Sequence, residues 1–244
     1  MQVKSIILAA GKGTRLKSED AGLPKCLRSA LGRPLLDYVL DAAGFIAREA
    51  TIIVVGYMRE KVIARYPELS FAAQDEQLGT GHAVQCAMPM LENYEGDVLI
   101  LCGDTPLVER ATLENLIDFH RESGNAGTVL SCRIERDIAI GRILREPDGS
   151  FARIVEAKDA SEGERAVREY NAGVYVFDRK TLASALAGLK NNNANGEYYL
   201  TDVPALIKQS GEKIGVFSTD NENEILGVNT QEDLTAVEEI LSKK

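Results

Sequence analysis

The chain has no tryptophan and only two histidines in 244 residues, and its four cysteines, Cys26, Cys86, Cys102 and Cys132, form no CxxC pair. Thiols so scattered indicate neither a zinc site nor a disulfide framework and suit a reducing compartment. Cations are also in deficit: 28 Lys and Arg face 37 Asp and Glu, a net charge of −9. A duplex nucleic-acid surface needs a dominant basic face, so no nucleic-acid partner is expected, although a local basic pocket remains open. Long hydrophobic runs are missing as well. The apolar stretch in "MQVKSIILAAGKG" is too short for a signal-peptide core or a membrane span, so no membrane partner and a cytoplasmic location are expected. No Ser/Pro linker, shift of composition or internal period divides the sequence. One domain over residues 1–244 is therefore expected, with hydrophobic residues at 45% and charged ones at 27% sufficient for a globular core.

What is present is an alternation of short apolar runs with helix-period segments. Val3 to Ala9, Thr51 to Val55 and Val98 to Leu101 read as buried strands. Between the first two, "RPLLDYVLDAAGFIA" places Leu35, Leu36, Val39, Leu40 and Ala43 at helical spacing, with Pro34 suited to a first turn. Thr112 to Ser123 reads as a further helix. "GTVLSCRI", "GRILRE", "FARIVEA" and "GVYVFD" follow as strands, the middle two joined by the turn "PDGS". "TLASALAGL", "YYLTDVPALIKQ" and "QEDLTAVEEIL" read as helices, the second stopped by Gly211. The implied class is α/β, a mixed, mainly parallel central sheet covered by helices on both faces, with the second half more antiparallel.

"LAAGKGTRLKSEDAGLPKCL", Leu8 to Leu27, concentrates cations on a glycine-rich loop straight after the first strand. Such a loop can aim backbone N–H groups at phosphate oxygens without Cβ obstruction. It lacks the GxxxxGK[ST] pattern, and Leu16 stands where GxGxxG needs its third glycine. Arg15 offers a planar fork for phosphate oxygens, and Lys25, after Pro24, a second charge; singly, each also reads as a solvated loop cation.

Taken together, the Gly-Lys-Gly-Thr-Arg and Leu-Pro-Lys elements resemble the signature loop of the sugar-nucleotide pyrophosphorylases, or nucleotidyltransferases. "QDEQLGTGHAV", "LCGDTPL", "GRI", "VEAKD", "NAGVYVF", "NNNANGEYYLTD" and "GVN" follow in the family's order, so the resemblance covers essentially the whole chain. "QLGTGHA" and "NNNANGEYYLTD" are similar to the branch of uridyltransferases that act on N-acetylglucosamine 1-phosphate. The resemblance implies a Rossmann-like three-layer αβα nucleotidyltransferase fold. It also implies Mg²⁺-dependent transfer of UMP from UTP to N-acetyl-α-D-glucosamine 1-phosphate, with release of pyrophosphate. Another sugar 1-phosphate, such as glucose 1-phosphate, another nucleotide, or a nucleotide-sugar sensor without turnover are the alternatives.

The family's residues carry over position by position. Leu8, Ala9, Ala10, Gly11, Gly13 and Thr14 fall on the nucleotide loop, with Arg15 and Lys25 as the catalytic cations. Asp104, after the apolar run "VLILCG", should sit at the carboxyl end of a central strand, although an Asp there also reads as a turn or cap. Asn229 can add an amide oxygen, and the resemblance makes these two the Mg²⁺ ligands. Gln74 ends a candidate strand and Gly79 with Thr80 opens a helix, so an amide and free N–H groups are expected to meet there, and the resemblance assigns all three to uracil. Cys102 and Gly103 line the substrate site, and Gly141, Glu156, Asn171 and Thr201 match sugar contacts; Gly141 reads equally as a glycine at a strand start. His82 and His120 read as helical-surface or internally satisfied histidines. Cys102 stands where some relatives have Tyr, and "GVNTQ" replaces a commoner Asn-Asp-Arg ending. The sequence to Lys244 has no hexapeptide repeats, so neither the left-handed β-helix acetyltransferase domain of the bifunctional members nor trimerisation through it is expected; a monomer or weak oligomer is.

Overall fold

The computed structural model describes residues 3–16, 18 and 20–243. Eleven strands are present among them: β1 (Val3–Ala9), β2 (Ser29–Ala30), β3 (Arg33–Pro34), β4 (Thr51–Val55), β5 (Ser70–Ala73), β6 (Asp97–Cys102), β7 (Gly127–Arg133), β8 (Arg142–Arg145), β9 (Phe151–Val155), β10 (Glu169–Asp178) and β11 (Ile214–Thr219). The α-helices are α1 (Leu35–Ala42), α2 (Arg59–Arg65), α3 (Thr80–Ala87), α4 (Arg110–Glu122), α5 (Glu162–Arg165), α6 (Arg179–Ala187), α7 (Val203–Gln209) and α8 (Gln231–Leu241).

The main sheet runs β11-β7-β10-β6-β1-β4-β5, with the β8–β9 hairpin attached to β10. β1 is parallel to both β4 and β6, and β4 to β5, whereas β10 lies antiparallel between β6 and β7. This is the mixed, mainly parallel sheet expected from the alternation of runs. Ile7 and Ala9 of β1 pack in one core cluster with Leu36 and Val39 of α1 and Leu113 and Leu116 of α4. Ile6 packs in another with Val84 of α3, Leu186 of α6 and Ile207 of α7. The period-two alternation of a strand buried on both faces thus divides the core into two layers under two helical layers.

Several elements depart from expectation. Tyr198 and Tyr199 are not helical: the Tyr198 N–H donates to the Leu78 carbonyl at 2.8 Å, and its carbonyl accepts from Gly81 at 2.7 Å. These backbone bonds to the loop before α3 compete with a helical turn, and α7 starts only at Val203, with Pro204 in its first turn where a missing N–H costs nothing. Pro34 stands one residue earlier than expected, capping α1 from outside. β11, α2 and α5, like the short strands β2 and β3, lie outside the expected elements. α2 buries Val62 alone among its seven residues, so it carries no apolar stripe.

Candidate active site

From β1 the chain passes to β4 on one side and reaches β6 on the other, so the carboxyl ends of β1 and β6 flank a topological switch point. The Gly103 N–H donates to the Leu8 carbonyl at 2.9 Å and ties those two ends together. A cavity of about 260 Å³ opens there, lined by Leu8, Ala9, Ala10, Gly11, Lys25, Cys26, Gln74, Gln77, Gly79, Thr80, Ala83, Cys102, Gly103, Asp104 and Glu197. Cys26, Gln77, Ala83 and Glu197 join the lining without a signal in the sequence that marks them as site residues. Glu197 lies within "NNNANGEYYLTD" and Gln77 between Gln74 and Gly79, but neither had a partner legible along the chain.

Cations and oxygen donors meet at the edge of this cavity. Lys25 opens a 3₁₀ turn whose Cys26 and Leu27 are buried, so the backbone below its side chain is anchored. Its Nζ donates to the Asp104 carboxylate and, at 2.9 Å, to Asn229 Oδ1. Arg15, in the 3₁₀ turn Thr14–Leu16, donates to the same Asn229 oxygen at 3.1 Å. Gly13 has φ +67°, and a Cβ there would fall 2.8 Å from Lys25 Cβ and 2.6 Å from Ser18 Oγ. Only glycine accommodates both the backbone and the contact. Lys17 of this loop lies outside the described residues.

A carboxylate oxygen and an amide oxygen bonded to one ammonium already converge on the position of a cation. Both are hard donors of the kind Mg²⁺ takes. Among the described residues no cluster of three or more His, Cys, Asp or Glu side chains is present, so a metal held here would take two protein oxygens and complete its shell from substrate and water. The residues fit such a sparse site. Asn229 is itself oriented, its N–H donating to Asp233 Oδ2 at 2.9 Å.

Gln74, buried just past β5, donates from Nε2 to the Gly79 carbonyl at 3.0 Å. Thr80 Oγ1 accepts from the Leu200 N–H at 3.0 Å, so the start of α3 is fastened to the 198–200 segment. The Gly81 N–H is taken by the Tyr198 carbonyl, so this one of the first-turn N–H groups expected to be free is not.

Gly141, Glu156, Asn171 and Thr201 form a second group outside the lining of the cavity. Thr201 Oγ1 donates to Glu156 Oε1 at 3.0 Å, and the Asn171 N–H to the Gly141 carbonyl at 2.8 Å. A Cβ on Gly141 would stand 3.5 Å from Glu156 Oε2. Asn171 Nδ2 donates to the Tyr175 hydroxyl at 2.7 Å, across the irregularity in β10. Cys102 joins the two groups, its thiol directed at the Gly173 carbonyl at 3.7 Å. Burial, followed by the Asp104 charge, pushes the Cys102 and Cys26 thiols up to about 12, so neither supplies a thiolate nucleophile near neutrality. Burial also raises the Glu156 carboxyl, ahead of repulsion from Asp159, Asp202 and Glu197.

The MobA-like NTP transferase domain pattern matches residues 5–204, from β1 into α7. The chain belongs to that family. Within it, the chain is 43% identical over 243 residues to "Bifunctional protein GlmU" of Streptococcus gordonii, covering 98% of this chain and 52% of the relative. It is 45% identical over 245 residues to the protein of the same name from Pelobacter propionicus, covering 99% and 53%. The chain thus spans about half the length of the curated relatives it matches. A solved structure of UDP-glucose pyrophosphorylase complexed with UDP-glucose superposes with a TM-score of 0.80 at 16% identity, covering 100% of this chain and 99% of the other. That likeness shows the nucleotidyltransferase-type α/β fold of this NTP transferase domain. Among the described residues no helix is long and apolar enough to cross a membrane.

Proposed function

We propose that the chain is a cytoplasmic, Mg²⁺-dependent pyrophosphorylase that transfers UMP from UTP to N-acetyl-α-D-glucosamine 1-phosphate, giving UDP-N-acetylglucosamine and pyrophosphate. The observation that carries this reading is the meeting of Lys25, Arg15, Asp104 and Asn229 beside a cavity at the switch point of an NTP transferase fold. The loop from Leu8 to Gly11, with Gly13 and Thr14, receives the triphosphate, and Gln74, Gly79 and Thr80 the uracil. Gly141, Glu156, Asn171 and Thr201 contact the sugar, and Cys102 and Gly103 form the floor between the two substrates.

A phosphate oxygen of the sugar phosphate forms a bond to the α-phosphorus of UTP while the α-phosphorus bond to the bridging oxygen breaks and pyrophosphate departs. The attacking oxygen is already ionised at neutral pH, so no side chain removes a proton. Alignment and charge are what the protein supplies. Lys25 reaches the reacting phosphates and Arg15 the departing β- and γ-phosphates, each trading its present contacts for substrate oxygens. Asp104 and Asn229 would hold Mg²⁺, which when bound neutralises phosphate charge between the two substrates.

A panel of UTP, dTTP, CTP and GTP against N-acetylglucosamine, glucosamine and glucose 1-phosphates, with Mg²⁺, tests this by pyrophosphate release. Release should be greatest with UTP and the N-acetylated sugar phosphate. Greater release with glucose 1-phosphate would reassign the sugar, and binding without release would mark a sensor.

A further inference from the structure

The hydrogen-bond partners of the Gln74 amide fix which of its terminal atoms is the nitrogen. The Gly79 carbonyl carries no proton, so the Gln74 atom 3.0 Å from it has to be the nitrogen, Nε2. The same Nε2 lies 3.1 Å from His82 Nδ1. An amide nitrogen has two protons and no acceptor capacity, so Nδ1 has to be an unprotonated acceptor and the neutral ring carries its proton on Nε2. That second nitrogen faces Cys86 Sγ at 3.9 Å, one helical turn further along α3, and sulfur is a weak acceptor. Both amide protons of Gln74 are consequently spent on protein. The one hydrogen-bonding atom left to the side chain is Oε1, an acceptor, on a residue that lines the nucleotide cavity.

An acceptor at that place discriminates bases. Uracil carries a proton on N3 and can donate to Oε1, whereas cytosine N3 presents a lone pair and would face oxygen with oxygen-like charge. Were the amide free to turn over, Nε2 could reach the cavity and serve cytosine N3 instead. The Gly79 carbonyl, which can only accept, opposes that rotation from one side; His82 opposes it from the other while its ring proton stays on Nε2, toward Cys86 Sγ. We propose that His82 is a positioning residue for base selection, whose Nδ1 holds the Gln74 amide with Oε1 toward the cavity. This rests on the uridyl-transfer reading of the site. His82 itself is absent from the cavity lining, so its effect is exerted through Gln74.

The test compares wild type with His82→Leu and His82→Asn in steady-state turnover and in equilibrium binding of UTP and CTP to the whole chain. Asn Oδ1 is attached to Cγ as His Nδ1 is, so His82→Asn can keep the acceptor, while His82→Leu removes it. Expected for His82→Leu is a drop of about tenfold in the UTP-to-CTP ratio of kcat/KM, the scale of one hydrogen bond, falling on KM more than on kcat. His82→Asn should retain most of the wild-type ratio. A merely structural role would lower kcat for both nucleotides equally and leave the ratio in place, and that result would overturn the proposal, as would an unchanged His82→Leu. Should His82→Leu fail to fold, a wild-type thermal midpoint with a collapsed ratio in His82→Asn would overturn it by itself. A wild type with no preference for UTP defeats the uridyl-transfer reading, and the proposal with it; failure confined to the variants defeats the proposal alone.

Discussion

At the residue scale the site turns on the Lys25 ammonium. It holds a carboxylate and an amide that come from positions 104 and 229, so three distant parts of the chain are registered through one side chain. In the proposed reaction those same oxygens would hold a divalent cation, and substrate phosphates would offer the lysine an alternative partner. Its placement depends on Gly13, whose positive φ and missing Cβ leave room for the lysine stem. Lys25→Ala should lower kcat by about 10²- to 10³-fold, the scale for losing one preorganised electrostatic donor. Gly13→Ala leaves the charge in place but displaces it. A loss of about 10²-fold is expected, with a fall in stability of about 1–3 kcal/mol from the strained backbone. Steady-state pyrophosphate release and thermal melts of both variants check this, and a near-wild-type rate for Gly13→Ala would mean that the loop, not the glycine, sets the position of the lysine.

At the scale of elements, Asn229, the proposed metal ligand, is held by the cap of a helix. Thr230 Oγ1 accepts from the Asp233 N–H at 3.1 Å, and Asp233 Oδ2 accepts from the N–H groups of Thr230 at 2.8 Å and Asn229 at 2.9 Å. The capping box of α8 therefore extends one residue backwards and fixes Asn229 as it starts the helix. Asp233→Ala should raise the Mg²⁺ concentration for half-maximal turnover several-fold and cost about 1 kcal/mol of stability. Thr230→Ala should cost a similar amount of stability with a smaller effect on the metal, since the bond to the Asn229 N–H survives. A Mg²⁺ titration of the two variants separates the outcomes. The helix itself was legible, because Thr-x-x-Asp precedes an apolar period. α5 had the same kind of signal in Ser161 and Glu164, which form a complete capping box over four residues without an apolar stripe to draw attention to it. β11 had no such signal. It lies at the sheet edge with Gly215 inside it, half-buried along most of its length, so no clean alternation marks it, and its pairing with β7 is a long-range fact. The strand ends that carry Leu8 and Asp104 were legible because buried parallel strands are continuous apolar runs. What converges on those ends from 77 and 197 was not, because nothing local in the sequence encodes which loop crosses a switch point.

The whole molecule carries a net charge of −9, and four of its partly or fully buried carboxylates are displaced in two opposing directions. Burial pushes Asp97 and Glu169 up, but it is outweighed at Asp97 by the His120 imidazole 3.6 Å away and the Arg121 hydrogen bond, and at Glu169 by hydrogen bonds from Arg145 and Ser131, so both carboxyls end below their usual range. A depressed carboxyl binds fewer protons folded than unfolded. Its stabilisation is full above the unfolded value of about 4 and is lost as pH falls through the folded one. Glu156 and Asp202 are the reverse. Burial, with Asp159 as a neighbouring charge, raises both, so the fold binds the extra proton and stability is lost as pH rises from about 4 through the folded value. The first pair lies at the starts of β6 and β10 and holds strands to neighbouring elements, whereas Glu156 belongs to the proposed sugar contacts. Stability and function are therefore separable by pH. Asp97→Asn should lower the thermal midpoint at pH 7 by several degrees, about 1–3 kcal/mol, with the gap to wild type narrowing toward pH 3. Glu156→Gln keeps an acceptor for Thr201 and removes the buried charge, so it should raise the midpoint at pH 8, leave it close to wild type at pH 4, and weaken the sugar phosphate by about tenfold or more in KM. Thermal melts of the two variants across this range read both signs at once. A Glu156→Gln midpoint that fell at pH 8 would show that the ionised carboxylate stabilises the fold there, and burial would then no longer be the dominant influence on that group.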